Sequence, residues 1–228
     1  MNVLALVPAR SGSKSVVNKN LQEISGIPLL ELAIRSAFKT NSVANTFVSS
    51  DSDEILELAI KLGCKPIKRP LDAASDSATA NDVVRDFITQ LNLLANPETV
   101  IVYLQPTSPF REPGMIEDGI RLFSSKLKPV VAICEVSQHP NKTVVINKSG
   151  QIAPYLQEAN PTANRQTLPK VLIPTGSLYI FSVSDFLLNG CIPVRGALPL
   201  LVSGVYALDI DTELDLRIAQ ELGRANEF

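Results

Sequence analysis

Val3-Leu4-Ala5-Leu6-Val7-Pro8-Ala9-Arg10-Ser11-Gly12-Ser13-Lys14, with Lys19-Asn20 close behind, is the stretch that decides how this chain is read. Its five consecutive apolar residues suit a strand buried in a parallel sheet. Pro8 breaks the run and a loop of small residues follows. Such a loop can turn its backbone N–H groups toward an anion, and Arg10, Lys14 and Lys19 add fixed charge. The Gly-Lys-Ser/Thr ending of a Walker loop is missing, and so is the three-glycine dinucleotide spacing. The loop reads as a phosphate cradle of a third kind.

Outward from this loop, apolar strand patterns alternate with amphipathic helix patterns. That is the signature of a three-layer α/β fold, a mostly parallel twisted sheet covered by helices. Strands are expected at 46–49, 64–67, 100–104, 130–134, 177–181 and 205–208. Helix faces are formed by Leu29, Leu32, Ala33 and Ala37 after Pro28, and by Ile55, Leu58, Ala59 and Leu62 before a capping Gly63. Further faces follow at Val83, Val84, Phe87, Ile88 and Leu91, after the polar stretch 75–79, and at Ile116, Ile120 and Phe123. The last comprises Leu214, Ile218 and Leu222 behind Thr212. Residues 1–228 read as one domain. The pattern weakens over 138–174, with a hairpin turn at Asn147-Lys148-Ser149-Gly150 and breaks at Pro154, Pro161 and Pro169. This stretch and 184–200 are expected to be irregular excursions that carry substrate contacts or a subunit interface.

Composition narrows the function. The chain has 21 basic and 23 acidic residues and a formal net charge of −2, with no basic stripe, so nucleic acid is not an expected partner. No run approaches a membrane span, and the first apolar run is too short for a signal peptide, which points to the cytoplasm. Cys64, Cys134 and Cys191 are scattered and read as reduced thiols. His139 is the only histidine, which leaves no material for a histidine-rich metal site or a serine-histidine-aspartate triad. His139 itself, before a proline, reads as structural.

Ligands of open α/β sheets bind beyond the carboxyl ends of strands. Four unusual segments sit at such ends: 10–14, Ser49-Ser50-Asp51, Gln105-Pro106-Thr107-Ser108-Pro109-Phe110-Arg111, and Asp209-Ile210-Asp211. Along a strand, residues i and i+2 share a face, so Asp209 and Asp211 repel each other unless a cation lies between them. Mg²⁺ favours carboxylate oxygens and keeps waters or phosphates as its other ligands. The pair therefore suits a metal site facing a nucleoside triphosphate, or, more simply, the start of the last helix. Gln105 is either a ligand contact or a partner for backbone groups. Lys142 and Arg165 are either surface charges or captors of a carboxylate. Asp51 and Asp53 suit a helix start.

Together, these segments resemble the CMP-sialic acid synthetases, the cytidylyltransferases of N-acylneuraminate and other nonulosonic acids. The resemblance also rests on Arg69-Pro70, His139-Pro140-Asn141-Lys142, Arg165-Gln166, Gly176-Ser177-Leu178-Tyr179-Ile180 and Leu208-Asp209-Ile210-Asp211-Thr212-Glu213-Leu214-Asp215-Leu216. The pieces stand in the family's order and span essentially the whole chain. The resemblance implies a Rossmann-like nucleotidyltransferase fold, a homodimer and a Mg²⁺-dependent reaction, with Mn²⁺ as a substitute. In that reaction CTP and a free nonulosonic acid give a CMP-sugar and pyrophosphate. It implies catalytic roles for Arg10, Lys19, Asp209 and Asp211, with the two aspartates on the metal. It implies a nucleotide site of Ala9, Arg10, Ser13, Lys14, Lys19, Asn20, Arg69, Ala78 and Ala80. On the acceptor side it implies Gln105, Lys142, Arg165, Thr175 and Tyr179.

The chain departs from the family's pattern at Ser11, at Ser15-Val16-Val17, at Thr175 and around Ile192-Pro193, where some relatives present aromatic residues. N-acylneuraminate is the expected acceptor, with legionaminic or pseudaminic acid as alternatives. A non-catalytic nucleotide sensor is a rival of another class. A phosphatase built on Asp209-Ile210-Asp211-Thr212 fits poorly, because too little chain follows to form its core.

Overall fold

The computed structural model describes residues 1–12, 15–70 and 78–225. Ser13, Lys14 and the positions 75–77 of the expected polar stretch lie outside the described residues. In chain order the elements are β1 (Val3–Pro8), β2 (Glu23–Ile24), β3 (Ile27–Pro28), α1 (Leu29–Phe38), β4 (Asn45–Ser50), α2 (Asp53–Lys61), β5 (Lys65–Lys68), α3 (Ala80–Gln90) and β6 (Val100–Tyr103). Then come α4 (Met115–Lys126), β7 (Val130–Glu135), β8 (Val144–Ile146), β9 (Ile152–Pro154), β10 (Leu172–Ser182), α5 (Val183–Asn189), β11 (Leu198–Leu201) and α6 (Glu213–Ala225).

Among the described residues, seven strands form the main sheet in the order β11-β7-β10-β6-β1-β4-β5. The pairings β1–β4, β1–β6, β4–β5 and β11–β7 are parallel, whereas β10 runs antiparallel between β6 and β7. The first apolar run is thus a central strand. Its alternation splits the core: Val3, Ala5 and Val7 pack on one side with α1, α2 and α4, while Leu4 and Leu6 pack on the other with α3 and α5. The three-layer, mostly parallel architecture agrees with the sequence reading.

Local chemistry fixes the helix ends. Ser52 caps α2, accepting from the Ile55 N–H, and Gly63 behind it takes the left-handed φ of +87° that glycine accepts without strain. Thr79 and Asp82 form a reciprocal capping box on α3.

Two stretches differ from expectation. Residues 184–200 are irregular only over 190–197. They hold most of α5, capped by Ser182 and Asp185, and the start of the edge strand β11. The last expected strand, 205–208, falls instead in a 3₁₀ turn, Gly204–Ala207. A four-residue apolar run does not by itself distinguish strand from turn. The excursion over 138–174 carries the small β8–β9 hairpin, whose Val144, Ile146 and Ile152 are exposed, as are Leu172 and Ile173 at the entry to β10.

A third core cluster brings the two ends of the chain together. Val16 and Ile24 from the first loop and hairpin, Leu29 from α1 and Phe110 from the 105–111 loop pack against Ile210, Leu216 and Ala219. Gly223 of α6 allows the closest approach, since a Cβ there would lie 2.2 Å from the Ile24 side chain.

Candidate active site

The carboxyl ends of β1, β5 and β6 open onto a cavity of about 290 Å³. Arg10, Lys19, Asn20, Arg69, Ala78, Ala80, Gln105, Asp209 and Asp211 all line it, so most of the residues singled out in the sequence share one space.

Ile210 is fully buried in the third cluster, and burying such a side chain stabilises by about 1.5–3 kcal/mol. Anchoring it leaves Asp209 and Asp211, one residue to either side, on the cavity wall. The i, i+2 argument therefore holds although the preceding backbone is a 3₁₀ turn. The Ile210 N–H donates to Thr107 O at 2.8 Å, which ties this segment to the 105–111 loop. The final helix has its own cap, with Asp215 accepting from the Asp211 and Thr212 N–H groups and from the Thr212 hydroxyl. Asp209 and Asp211 are thus not needed to cap it with their side chains.

The cations are held as firmly. Lys19 Nζ donates to Ile210 O at 2.7 Å and lies 3.5 Å from Asp211 Oδ1. Asn20 Nδ2 donates to Arg10 O at 2.9 Å and closes the first loop. Ser11 donates to Asp51 through both its N–H and its hydroxyl, which tethers the loop to the end of β4. Burial pushes the Asp51 carboxyl up, but these bonds outweigh it and leave the carboxyl below its ordinary range. Arg69 is buried and donates to Ser49 Oγ and Ser49 O, and desolvation lowers its pKa.

Asp209 is the strained member. Burial raises its pKa and Asp211 adds to the rise, against hydrogen bonds from Thr107 and Ser108 and the charge of Lys19. A carboxylate pair held in this way gains from a cation. Among the described residues no cluster of three or more His, Cys, Asp or Glu side chains is present. Two hard carboxylates facing an open cavity nevertheless fit Mg²⁺, which needs only one or two protein oxygens when waters and phosphates supply the rest.

The remaining expected residues divide. Tyr179 is half-buried, with its ring edge-on to Tyr103 at 6.2 Å, and Tyr103 lines the cavity. Ala9 is buried, and its N–H is engaged by Ser49 O. The Thr175 hydroxyl points into the sheet, bonded to Ser177 Oγ at 2.7 Å and near Ala132 O. Arg165 lies apart, donating to Val136 O on the rim of a separate cavity that His139 also lines, and the exposed Lys142 sits in the adjoining 3₁₀ turn. His139 Nδ1 accepts from the Asn141 N–H while Nε2 meets Pro169 O at 3.0 Å, a structural arrangement. Asp53 is the first residue of α2, as its position suggested.

Sequence reasoning missed Tyr103, Thr107, Ser108 and Arg111. Ser108 Oγ reaches Thr175 O at 3.0 Å and Asp209 Oδ1 at 3.4 Å. All but Tyr103 belong to the proline-framed loop singled out in the sequence, but their inward direction is set by contacts with distant segments.

Comparison with known proteins agrees with this geometry. The chain is 29% identical over 231 residues to a CMP-N,N'-diacetyllegionaminic acid synthase of Legionella pneumophila, covering 100% of this chain and 98% of that protein. It is 28% identical over 218 residues to an N-acylneuraminate cytidylyltransferase of Streptococcus agalactiae, covering 94% of this chain but only 52% of that relative. Its fold matches a CMP:2-keto-3-deoxy-manno-octonic acid synthetase solved with CTP, at a TM-score of 0.71 and 17% identity over 99% of each chain. The family model for cytidylyltransferases matches residues 4–169. With its cation loop and aspartate pair on one cavity wall, the chain belongs to the cytidylyltransferase family.

Proposed function

We propose that this protein transfers CMP from CTP to the anomeric hydroxyl of a free nonulosonic acid and releases pyrophosphate. The observation that carries the reading is the junction of Lys19 with Ile210 and Asp211, on the wall that Arg10, Asn20 and Arg69 also line. Phosphoryl transfer needs positioning and neutralisation of negative charge more than a covalent nucleophile. Arg10 and Lys19 face the triphosphate and Asn20 shapes its cradle. Arg69, Ala78 and Ala80 enclose the base. Asp209 and Asp211 hold a divalent cation, Mg²⁺ or Mn²⁺. Bound there, the cation supplies Lewis acidity that offsets phosphate charge and lowers the pKa of the attacking hydroxyl. Gln105 and Tyr179 form the acceptor end.

Arg165 and Lys142 stand outside the cavity, on the excursion whose apolar hairpin residues are exposed. We infer a homodimer that covers this hairpin and brings one copy's Arg165 and Lys142 to the other copy's cavity. There the guanidinium grips the acceptor's carboxylate through two hydrogen bonds. Among the described residues no helix is long and apolar enough to cross a membrane.

Legionaminic acid is the second reading for the acceptor. It is favoured by end-to-end similarity to a legionaminic acid synthase, against half-length coverage of the streptococcal N-acylneuraminate enzyme. The test is pyrophosphate release from CTP and Mg²⁺ with a panel of nonulosonic acids, followed by mass spectrometry of the nucleotide-sugar. A CMP-sugar from one of them is expected. CTP binding without pyrophosphate release for any acid would identify a sensor instead.

A further inference from the structure

Arg111 ends the 105–111 loop. Its Nε donates to Ser177 O at 2.9 Å and its Nη2 to Gln105 O at 2.7 Å. One planar guanidinium thus joins the end of β6 to β10 at the place where β10 loses register, between Pro174 and Tyr179. Nη1 is buried and lacks a hydrogen-bond partner. Among the described residues no carboxylate lies within ion-pair distance of this guanidinium, and Asp209 acts on it only through space. A buried cation held by two carbonyls, with one nitrogen unpaired, is a poor way to stabilise a fold, since an apolar side chain of similar volume would avoid the desolvation. Departures of this kind concentrate at functional sites.

What the guanidinium fixes is Gln105. The Gln105 carbonyl is held from below by Arg111, and its side chain lies over Gly176. A Cβ at position 176 would fall 2.2 Å from Gln105 Oε1, and Gly176 has a φ of +78°. Backbone and amide of Gln105 are therefore located from two sides, both set by the irregular part of β10. We propose that Arg111 is a positioning residue for acceptor specificity: its two-carbonyl bridge aims the Gln105 amide into the cavity, where it reads a hydroxyl or acylamino group of the sugar acid. This rests on the cytidylyl-transfer reading. Lysine cannot make the same bridge, because one ammonium on a flexible stem lacks the rigid fork.

The test is a double-mutant cycle of Arg111→Lys and Gln105→Ala, read by steady-state kinetics and by calorimetric titration of CTP and of the sugar acid. Arg111→Lys is expected to weaken kcat/KM for the acid by about 10- to 100-fold, the range of a lost charge-assisted hydrogen bond. KM for CTP should stay within about threefold, and the double variant should be little worse than Gln105→Ala alone. Additive losses, or equal losses for both substrates, would overturn the proposal, since a merely structural arginine would damage both alike. Failure of the wild-type enzyme to release pyrophosphate with any acid would overturn the transfer reading separately. The cycle would then be decided on ligand binding, where absence of coupling between positions 105 and 111 counts against the proposal.

Discussion

Lys19 Nζ sits 2.7 Å from Ile210 O and 3.5 Å from Asp211 Oδ1, across 191 and 192 residues of chain. One ammonium therefore ties the amino-terminal loop to the carboxyl-terminal segment and, in the proposed reaction, also offers charge to the triphosphate. The two roles predict a double loss. Lys19→Met should lower pyrophosphate release by at least about 10²-fold, as removal of a preorganised charge donor does. It should also destabilise the fold by about 1–3 kcal/mol, because the carbonyl of Ile210 is left without its partner. Kinetics and urea midpoints on the same preparation check this. A stable but inactive variant would assign Lys19 to catalysis alone.

Asp211 is the open member of the aspartate pair, its side chain 78% exposed against 10% for Lys19. Asp211→Ala should abolish turnover, by about 10²-fold or more, while Tm stays close to that of the wild type. Near-normal pyrophosphate release by the folded variant would remove Asp211 from the metal site.

Asp209 predicts the opposite effect on stability. Its folded pKa is raised, first by burial and then by Asp211, above an unfolded value of about 3.9. Above the raised pKa the fold bears the full penalty of an ionised buried carboxylate, and below about pH 4 neither state bears it. Asp209→Asn should therefore raise Tm at pH 7 and lose this advantage as pH falls toward 4. The same variant should be inactive, and Mg²⁺ should stabilise the wild type but not the variant. Thermal scans across pH, with and without Mg²⁺, read both signs. A lower Tm at pH 7 would show that the hydrogen bonds from Thr107 and Ser108 outweigh desolvation.

Arg165 lies beside Val136 and Glu135, outside the central cavity. If a second copy supplies it, Arg165→Ala should raise KM for the sugar acid by about 10- to 100-fold, with little change for CTP. Mixing Arg165→Ala with Asp211→Ala should then restore activity, since a heterodimer contains one site with both residues intact. Two weak proteins that stay weak after unfolding, mixing and refolding would place Arg165 in its own copy's site, or in none.

Much of this site was legible because its chemistry is carried by strand ends. The apolar runs at 3–7 and 100–104 announced buried strands, and the residues following them line the cavity. The aspartate pair was legible because an apolar residue between two carboxylates has only one sensible burial, which Ile210 adopts. Less local features were hidden. Nothing in Ser177-Leu178-Tyr179 states that β10 runs against its neighbours, because alternation is the same in both directions. The inward turn of the Thr175 hydroxyl depends on Ser177 and Ala132, and the grip of Arg111 on β10 depends on a backbone irregularity. The 3₁₀ turn Gly204–Ala207 replaced an expected strand because four apolar residues pack equally well in either form.

The reversed strand has a lasting effect on how this protein can change. Because β10 points the other way, the chain enters the reaction edge straight from the surface arm of 138–171, whereas every parallel strand reaches that edge only after crossing the core. If the proposed acceptor contacts of Arg165 and Lys142 hold, mutations in the arm would alter them while leaving the cavity wall of Arg10, Lys19, Asp209 and Asp211 as it is.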